Sequence, residues 1–458
     1  CILFPLLAML LDDLSESPRL ARFFTRKTSV PPELLRLEDD DVQEEKRRVA
    51  EVDPRKQVMY VKGLRKAYGS MLSSKVTHAV RGVTWAADQG MVFGLLGVNG
   101  AGKTTSFKLM SGIYTPSEGE VRILGIDMVE ETSRARRLIG YCPQFDALIH
   151  VMTVESHLYL YGRMKGLVGR DLQTAVDDKI NEMQLSMYRY RRAGTLSGGN
   201  KRKLSVAMAL IGEPPVIFLD EPSTGMDPFA RRFMWSVIQD VAEKRKQSVV
   251  VLTTHSMEEA EALCSSIAIQ VDGQFRCLGS AQHLKSKYGK GYEVSAKFRA
   301  IDRDALSQRA MQMLPSGWEL DRSGYTMMSK NQAINVLDEK LVTAATLPSG
   351  PIPEGQQEVA VEVLAEWVIT QQHVEDLKDF FSEPGGLGDL NLGEVLVLEN
   401  HGSSLRLRLP LAGEAQLPQL FAMLSKEKAR FGLSDFAVCQ SSLEQVFNGF
   451  AAEAGGHQ

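Results

Sequence analysis

The segment Gly97-Val98-Asn99-Gly100-Ala101-Gly102-Lys103-Thr104-Thr105 sets a lysine and two hydroxyls directly behind a glycine-rich turn. Glycines let backbone N–H groups turn inward around phosphate oxygens, and a helix starting there adds positive potential. The apolar run VFGLLG (92–97) leads in and SFKLMSGI leads out, which is the strand-to-helix setting that a phosphate-binding loop requires. Lys103 would reach the β- and γ-phosphates of ATP, and the Thr104 hydroxyl would hold Mg²⁺. Further along, VIFLDE (216–221) puts Asp220 at the C-terminal end of an apolar strand, where ligands bind in open α/β sheets. Asp220 would complete the Mg²⁺ site with Thr104. Its neighbour Glu221 would polarise the attacking water as general base. Alone, such a strand is one meeting solvent; its place downstream of the phosphate loop gives it weight.

Between these two lies Leu196-Ser197-Gly198-Gly199-Asn200, followed by Lys201, Arg202 and Lys203. By itself SGG marks a loop. Set between a phosphate loop and an acid-tipped strand, LSGG resembles the signature sequence of ABC ATPases. That resemblance implies that Ser197, Gly198 and Gly199 cap a γ-phosphate held by a second cassette. A hydroxyl, a bare backbone and a helix N-terminus all favour an anion. Other motifs of the family follow in order. Gln144, in YCPQFD, matches the glutamine that contacts Mg²⁺ and water and faces the transmembrane domain. Asp227, in GMD, matches the D-loop, and His255, after VVVLTT, matches the switch histidine at the γ-phosphate. Tyr68 stands where the family stacks an aromatic ring on adenine.

These residues need a scaffold. From Val58 to about Gly291 apolar runs alternate with helical stretches, and runs such as VVVLTT (249–254) suit buried parallel strands. The expectation is a P-loop ABC-type α/β domain over 58–291 with a helical subdomain around the signature. Beyond it, YEVSAKF (292–298), EVLVLEN (394–400), SLRLRL (404–409) and DFAVCQ (435–440) read as strands, and 416–430 and 442–450 as helices. With the stretch between the first two strands set aside, this is a smaller α+β, ferredoxin-like domain over 292–458. An insertion covers about 301–393 and includes a helical stretch, 358–381. In it Val359, Val363, Trp367, Val374, Leu377 and Phe381 recur at roughly helical spacing. They are read as a stripe packing on its own domain, with a lipid- or partner-binding stripe as the alternative.

The chain has 458 residues, 44% hydrophobic and 24% charged, an ordinary soluble composition. A net charge of −4 gives no general attraction to nucleic acid. Cys1, Cys142, Cys264, Cys277 and Cys439 stand far apart, with no zinc-like spacing. The first residue is Cys, so a fragment is expected. Residues 1–11 are wholly apolar and about half the length of a bilayer span. They are read as the end of a transmembrane helix, with a core helix as the alternative. Arg19, Arg22, Arg26 and Lys27 follow, as on the cytosolic side of a span. Residues 12–57 would be a cytosolic juxtamembrane linker whose charged part, Glu38 to Arg48, is a solvated linker or a short helix.

The resemblance narrows further. GLLGVNGAGKTT, SGGNKRKLS, FLDEPSTGMDP, LTTHSMEEAEALC and RCLGSAQHLKSKYGKGY look like subfamily A of the ABC transporters, and SGGNKRKLS resembles the second nucleotide domain of its full-length members. The tail from Ser442 to Phe450 resembles the motif that closes the subfamily's regulatory domain. The implied function is ATP hydrolysis driving lipid across a membrane. The implied partners are transmembrane domains and another cassette from the N-terminal half of the same polypeptide. A soluble ABC ATPase working on ribosomes or DNA, and a binding-only cassette, are the alternatives. The first usually carries tandem cassettes or a long coiled coil; the second would have lost Lys103 or a catalytic acid.

Overall fold

The computed structural model describes residues 30–31, 38–68, 76–244, 248–289, 291–314, 326–337, 351, 358–382, 395–401, 404–409 and 417–455. The apolar stretch 1–11 and most of the expected linker lie outside them. Among the described residues no helix is long and apolar enough to cross a membrane. The chain divides into two compact units, one running to Lys287 and resuming at Leu443, the other spanning Tyr288–Ser442.

In the first unit α1 (Asp40–Glu51) is capped by Asp39, whose carboxylate accepts from the Asp41 N–H. The charged segment is therefore a helix, and Val42 and Val49, seven apart and both buried, turn one face inward. Glu45 accepts from the Ala86 N–H at 3.0 Å, and Arg48 donates to the Ala86 carbonyl at 2.6 Å. An antiparallel sheet follows, built from β1 (Met59–Tyr68), β2 (Thr77–Ala87), and later β4 (Glu118–Ile123) and β5 (Ile126–Asp127), in the order β2-β1-β4-β5.

The second sheet contains β3 (Val92–Gly97), β6 (Ile139–Cys142), β7 (Val216–Asp220), β8 (Val249–Thr253), β9 (Ser266–Val271) and β10 (Gln274–Gly279), ordered β10-β9-β3-β8-β7-β6. All pairings are parallel except β10 on β9. Every residue of β3, β7 and β8 is buried, as unbroken apolar runs in a parallel sheet must be. Helix α2 (Lys103–Met110) lies between the sheets. Its Phe107 meets Phe218 edge-on at 5.3 Å, and Met110 accepts from the Trp85 indole N–H at 3.3 Å. Trp85 stacks on Phe93 at 3.9 Å, so an aromatic pair joins the two sheets directly.

Helix α3 (Thr132–Arg137) precedes β6; three helices then carry the signature region, α4 (Val154–Met164) and α5 (Gly169–Glu182) packing together and leading to α6 (Gly198–Leu210). Helix α7 (Pro228–Gln239) follows β7, α8 (Met257–Leu263) follows β8, and α9 (Ala281–Tyr288) closes this part of the chain.

The second unit opens with β11 (Tyr292–Phe298) and α10 (Arg303–Met313). A small lobe follows, comprising β12 (Met327–Ser329), α11 (Lys330–Val336), β13 (Glu358–Ala360) and the long α12 (Val361–Ser382). Then come β14 (Leu396–His401), β15 (Ser404–Leu409), α13 (Leu417–Glu427) and β16 (Leu433–Gln440). The sheet order β14-β15-β11-β16, antiparallel throughout, is the ferredoxin-like arrangement.

Two findings differ from the sequence reading. Helix α12 was set aside as insertion, yet its C-terminal half supplies Val374, Leu377 and Phe381 to the core beneath the ferredoxin-like sheet. Its N-terminal half supplies Val361, Leu364, Ala365 and Val368 to a separate core with α10 and the β12–β13 ribbon. The stripe is accordingly packed on its own unit, with Val359 buried, Trp367 against the smaller core, and Val363 exposed. The tail helix α14 (Leu443–Gly455), expected to close the second unit, packs instead against β9 and α8 of the first.

Candidate functional site: a phosphate-loop pocket at the strand ends

Gly102 stands at the N-cap of α2 with φ +93°, and a Cβ there would lie 2.3 Å from the Ala79 carbonyl oxygen. Only glycine fits that close approach of β2 to the loop. Lys103 opens the helix, and its ammonium donates to the carbonyls of Gly97 and Val98 at 2.5 and 3.0 Å. Burial lowers its pKa, with Glu221 and Asp220 pulling the other way. The result is a half-shielded cation held at the mouth of its own loop.

A cavity of about 350 Å³ is lined by Val98, Asn99, Gly100, Gly102, Lys103, Thr104, Thr105, Gln144, Asp220, Glu221 and His255, with Ala79 and Thr253. Apart from Gly97 and Ala101, the residues picked from the sequence for phosphate and metal thus share one pocket, drawn from the ends of β3, β6, β7 and β8. Asp220 is buried at the tip of β7, and burial raises its carboxyl pKa against a hydrogen bond from Thr253. That bond, from Thr253 Oγ1 to Asp220 Oδ1, is 2.5 Å. The same Oγ1 accepts from the Glu221 N–H at 3.2 Å, and the Thr253 carbonyl accepts from it at 3.1 Å.

Glu221 has φ +50°, a left-handed backbone in a residue other than glycine. Such geometry costs roughly 1–2 kcal/mol and collects where a side chain must be aimed. Its carboxylate is aimed between two partners: Oε1 lies 2.7 Å from His255 Nε2, and Oε2 accepts from Thr224 Oγ1 at 3.1 Å.

Seven sequence candidates sit outside the cavity lining: Tyr68, Gly97, Ala101, Ser197, Gly198, Gly199 and Asp227. Tyr68 is 41% exposed at the end of β1 and shares a hydrogen bond with the Thr105 side chain. Asp227 is exposed and caps α7 through the Ala230 N–H. Ser197 is exposed at the N-cap of α6, its Oγ accepting from the Asn200 N–H. Among the described residues nothing lies within 4 Å of a Cβ built on Gly198 or Gly199, so none of them requires glycine at either position. Within the loop, Gly97 and Ala101 are buried and do not line the cavity. A Cβ on Gly97 would meet the Gln270 carbonyl at 2.4 Å.

Two positioning residues escaped the sequence reading. Thr253 was only the fifth letter of an apolar run, and no local signal separates it from Thr254. Arg202, noted merely as part of a basic run, is 4% exposed and spans two loops of the site from α6.

The family model for ABC transporters matches residues 80–224. These residues, with the pocket at their strand ends, form an ABC transporter ATPase domain. The chain is 46% identical over 285 residues to the bovine (Bos taurus) retinal-specific phospholipid-transporting ATPase ABCA4, covering 62% of this chain and 12% of that protein. It is 36% identical over 430 residues to rat (Rattus norvegicus) ATP-binding cassette sub-family A member 7, covering 94% and 16%. It is 35% identical over 435 residues to human (Homo sapiens) phospholipid-transporting ATPase ABCA3, covering 94% and 20%. The chain therefore belongs with subfamily A of the ABC transporters, and spans about 12–20% of the length of these relatives. A solved ATP-binding subunit of an ABC transporter aligns at TM-score 0.46 and 27% identity, covering 50% of this chain and 93% of that one.

Proposed function

We propose that the pocket binds ATP with Mg²⁺ and hydrolyses it to drive lipid transport by a larger membrane protein, with this region on the cytosolic face. The observation that carries the reading is the convergence of Lys103, Thr104, Gln144, Asp220, Glu221 and His255 on one cavity. The donor set fits a hard cation: a buried carboxylate on Asp220, a hydroxyl on Thr104 and the Gln144 amide oxygen are all oxygen ligands. Mg²⁺ held there would neutralise charge on the β- and γ-phosphates.

This chain's residues do the rest. Lys103 leaves its loop carbonyls for the β/γ-phosphate oxygens, and Tyr68 stacks on the adenine. Glu221 accepts a proton from water as its oxygen attacks the γ-phosphorus, and the β–γ bridging oxygen departs with ADP. His255, bonded to the same carboxylate, orients Glu221 and faces the γ-phosphate.

The signature acts elsewhere. Glycine weakens a helix by roughly 0.5–1 kcal/mol per residue, and two open α6 with no reason for them among the described residues. An external group approaching the bare backbone supplies the reason: the γ-phosphate on a second cassette, with Ser197 beside it and Asp227 at the seam. In the full-length relatives that cassette would come from the N-terminal half of the polypeptide.

Lipid as cargo is supported by the names of two relatives, which are phospholipid-transporting ATPases. A soluble ATPase on ribosomes or DNA finds no counterpart among these relatives, and a binding-only cassette is disfavoured by the retained Lys103, Asp220 and Glu221. The test is ATP turnover of the full-length transporter in defined lipid. Stimulation by phospholipid or sterol is expected. Stimulation by a hydrophilic solute alone, in lipid-replete membranes, overturns the reading.

A further inference from the structure

Arg202 lies on α6 five residues past Ser197, about 7.5 Å further along the helix axis. Its guanidinium is buried and donates to six acceptors. Nε reaches the Pro222 carbonyl at 3.1 Å, and Nη2 reaches those of Asp220 and Glu221 at 2.5 and 2.8 Å. Nη1 reaches the carbonyls of Pro143 and Gln144 at 2.6 and 3.2 Å and Asp146 Oδ1 at 3.3 Å. Five of these acceptors are backbone oxygens of the two segments that carry Gln144, Asp220 and Glu221. Asp146 is held in turn by the Ser205 hydroxyl, one turn further along the same helix, at 2.9 Å.

A planar guanidinium with five fixed N–H groups can join two backbone segments, whereas an ammonium with three rotatable donors cannot match all the directions. Glu221 needs such an anchor, because its left-handed φ holds only when the surroundings fix it. The helix carrying Arg202 is the one whose N-terminus presents Ser197 outward. One rigid element thus has the partner-facing serine at one end and, a turn and a half later, a clamp on its own cassette's acids.

We infer that Arg202 is a positioning residue that couples the signature of this cassette to its own catalytic loops. Engagement of Ser197 by a nucleotide on the other cassette sets α6, and α6 sets Glu221 and Gln144 through Arg202. The two nucleotide sites then communicate inside one chain as well as across their shared interface. The inference rests on the ATPase reading above and extends it, since it assigns this residue a role in turnover rather than in nucleotide affinity.

The experiment measures steady-state ATP hydrolysis by the full-length transporter carrying Arg202→Lys, with Glu221→Gln as reference. The lysine keeps charge and length but not the fork. The kcat of Arg202→Lys should fall about tenfold or more while KM for ATP stays within about twofold, as for misplacement of groups that act only in the transition state. Its melting-temperature gain on adding Mg-ATP should match that of the unaltered protein. If Arg202→Lys does not accumulate as folded protein, Asp146→Asn takes its place. It leaves Arg202 intact, removes the one carboxylate on it, and should lower kcat about threefold with KM unmoved. Unchanged kcat in the folded variant, or kcat and KM moving together, overturns the coupling role. Normal turnover in Glu221→Gln would instead take Glu221 out of the base role and overturn this pocket as the hydrolytic site, so the two failures are separable.

Discussion

Thr253 Oγ1 sits between two consecutive acids at the end of β7, donating to the Asp220 carboxylate at 2.5 Å and accepting from the Glu221 N–H at 3.2 Å. One hydroxyl on the neighbouring strand therefore aligns both the carboxylate proposed to face the metal and the backbone of the proposed base. Thr253→Val keeps the shape and removes both bonds. Leaving a buried polar group without its partner costs about 1–3 kcal/mol. The first unit should unfold at lower denaturant and ATP turnover should drop. Unchanged denaturation midpoint and unchanged turnover together would reject the role.

Glu221→Gln should retain nucleotide binding while turnover drops by about 10²–10⁴, the usual contribution of a placed general base. His255→Ala, which frees Glu221 Oε1, should lower turnover less. Binding of a fluorescent ATP analogue, set beside phosphate release, checks both. Near-normal release from Glu221→Gln would remove it from the role.

Lys103→Ala removes the cation that the phosphates would take from the Gly97 and Val98 carbonyls. Nucleotide affinity or hydrolysis should collapse, read by isothermal titration and phosphate release. Full activity would mean that this loop is not the operating site.

Acid should weaken the Mg-nucleotide complex through Asp220. Burial raises its carboxyl pKa, so protons compete with the cation at a higher pH than for a free aspartate. The folded state, holding its proton more tightly than the unfolded chain, gains from this group at low pH. That gain disappears as pH rises from the unfolded pKa through the higher folded one. The two effects have opposite signs. From neutrality toward about pH 5 the melting-temperature gain conferred by Mg-ATP should shrink. Thr253→Val, which removes the bond that favours the ionised form, should move this loss to higher pH. A gain independent of pH would exclude Asp220 as a ligand.

The isolated chain should bind ATP yet hydrolyse it slowly, since Ser197 is exposed and lies outside the lining of its own pocket. Specific activity should rise more than linearly with protein concentration, as transient dimers bring one Ser197 over the opposite pocket, and Ser197→Arg should abolish that rise. Missing dipoles at a developing charge are worth several kcal/mol. Fast turnover that is independent of concentration and indifferent to Ser197→Arg would show a site complete within one chain.

What the sequence displayed was whatever is local. Lys103 and Thr104 are fixed by six neighbours, and Asp220 by four apolar residues ahead of it, so their place at the strand ends around one cavity could be read from letters alone. Strands β11 and β15 of the ferredoxin-like sheet were legible because they alternate against a core, as Val294, Ala296 and Phe298 do in β11. Arg202 was not, because its acceptors lie 18 to 59 residues away and surface and buried arginines look alike in a basic run. Glu221's backbone strain leaves no mark in composition. The halves of α12 were inseparable because one continuous helical pattern serves two cores, and tail helix α14 gave no hint of which unit it would join.

That shared helix limits how the chain can be edited. α12 is 22 residues long, about 33 Å end to end, and acts as a common axle through both lobes of the second unit. Cutting out residues 301–393 as though they were an appendage would strip Phe381, Leu377 and Val374 from beneath β11 and β15 and open a large void there. An excision that spares the sheet has to close the chain ahead of Val374, leaving the last two to three turns of the axle in place. Homologues with a shorter domain would then keep this half-helix and lose only the part that carries Val361, Leu364 and Val368. Length variation in the family should accordingly concentrate on one end of a single rod.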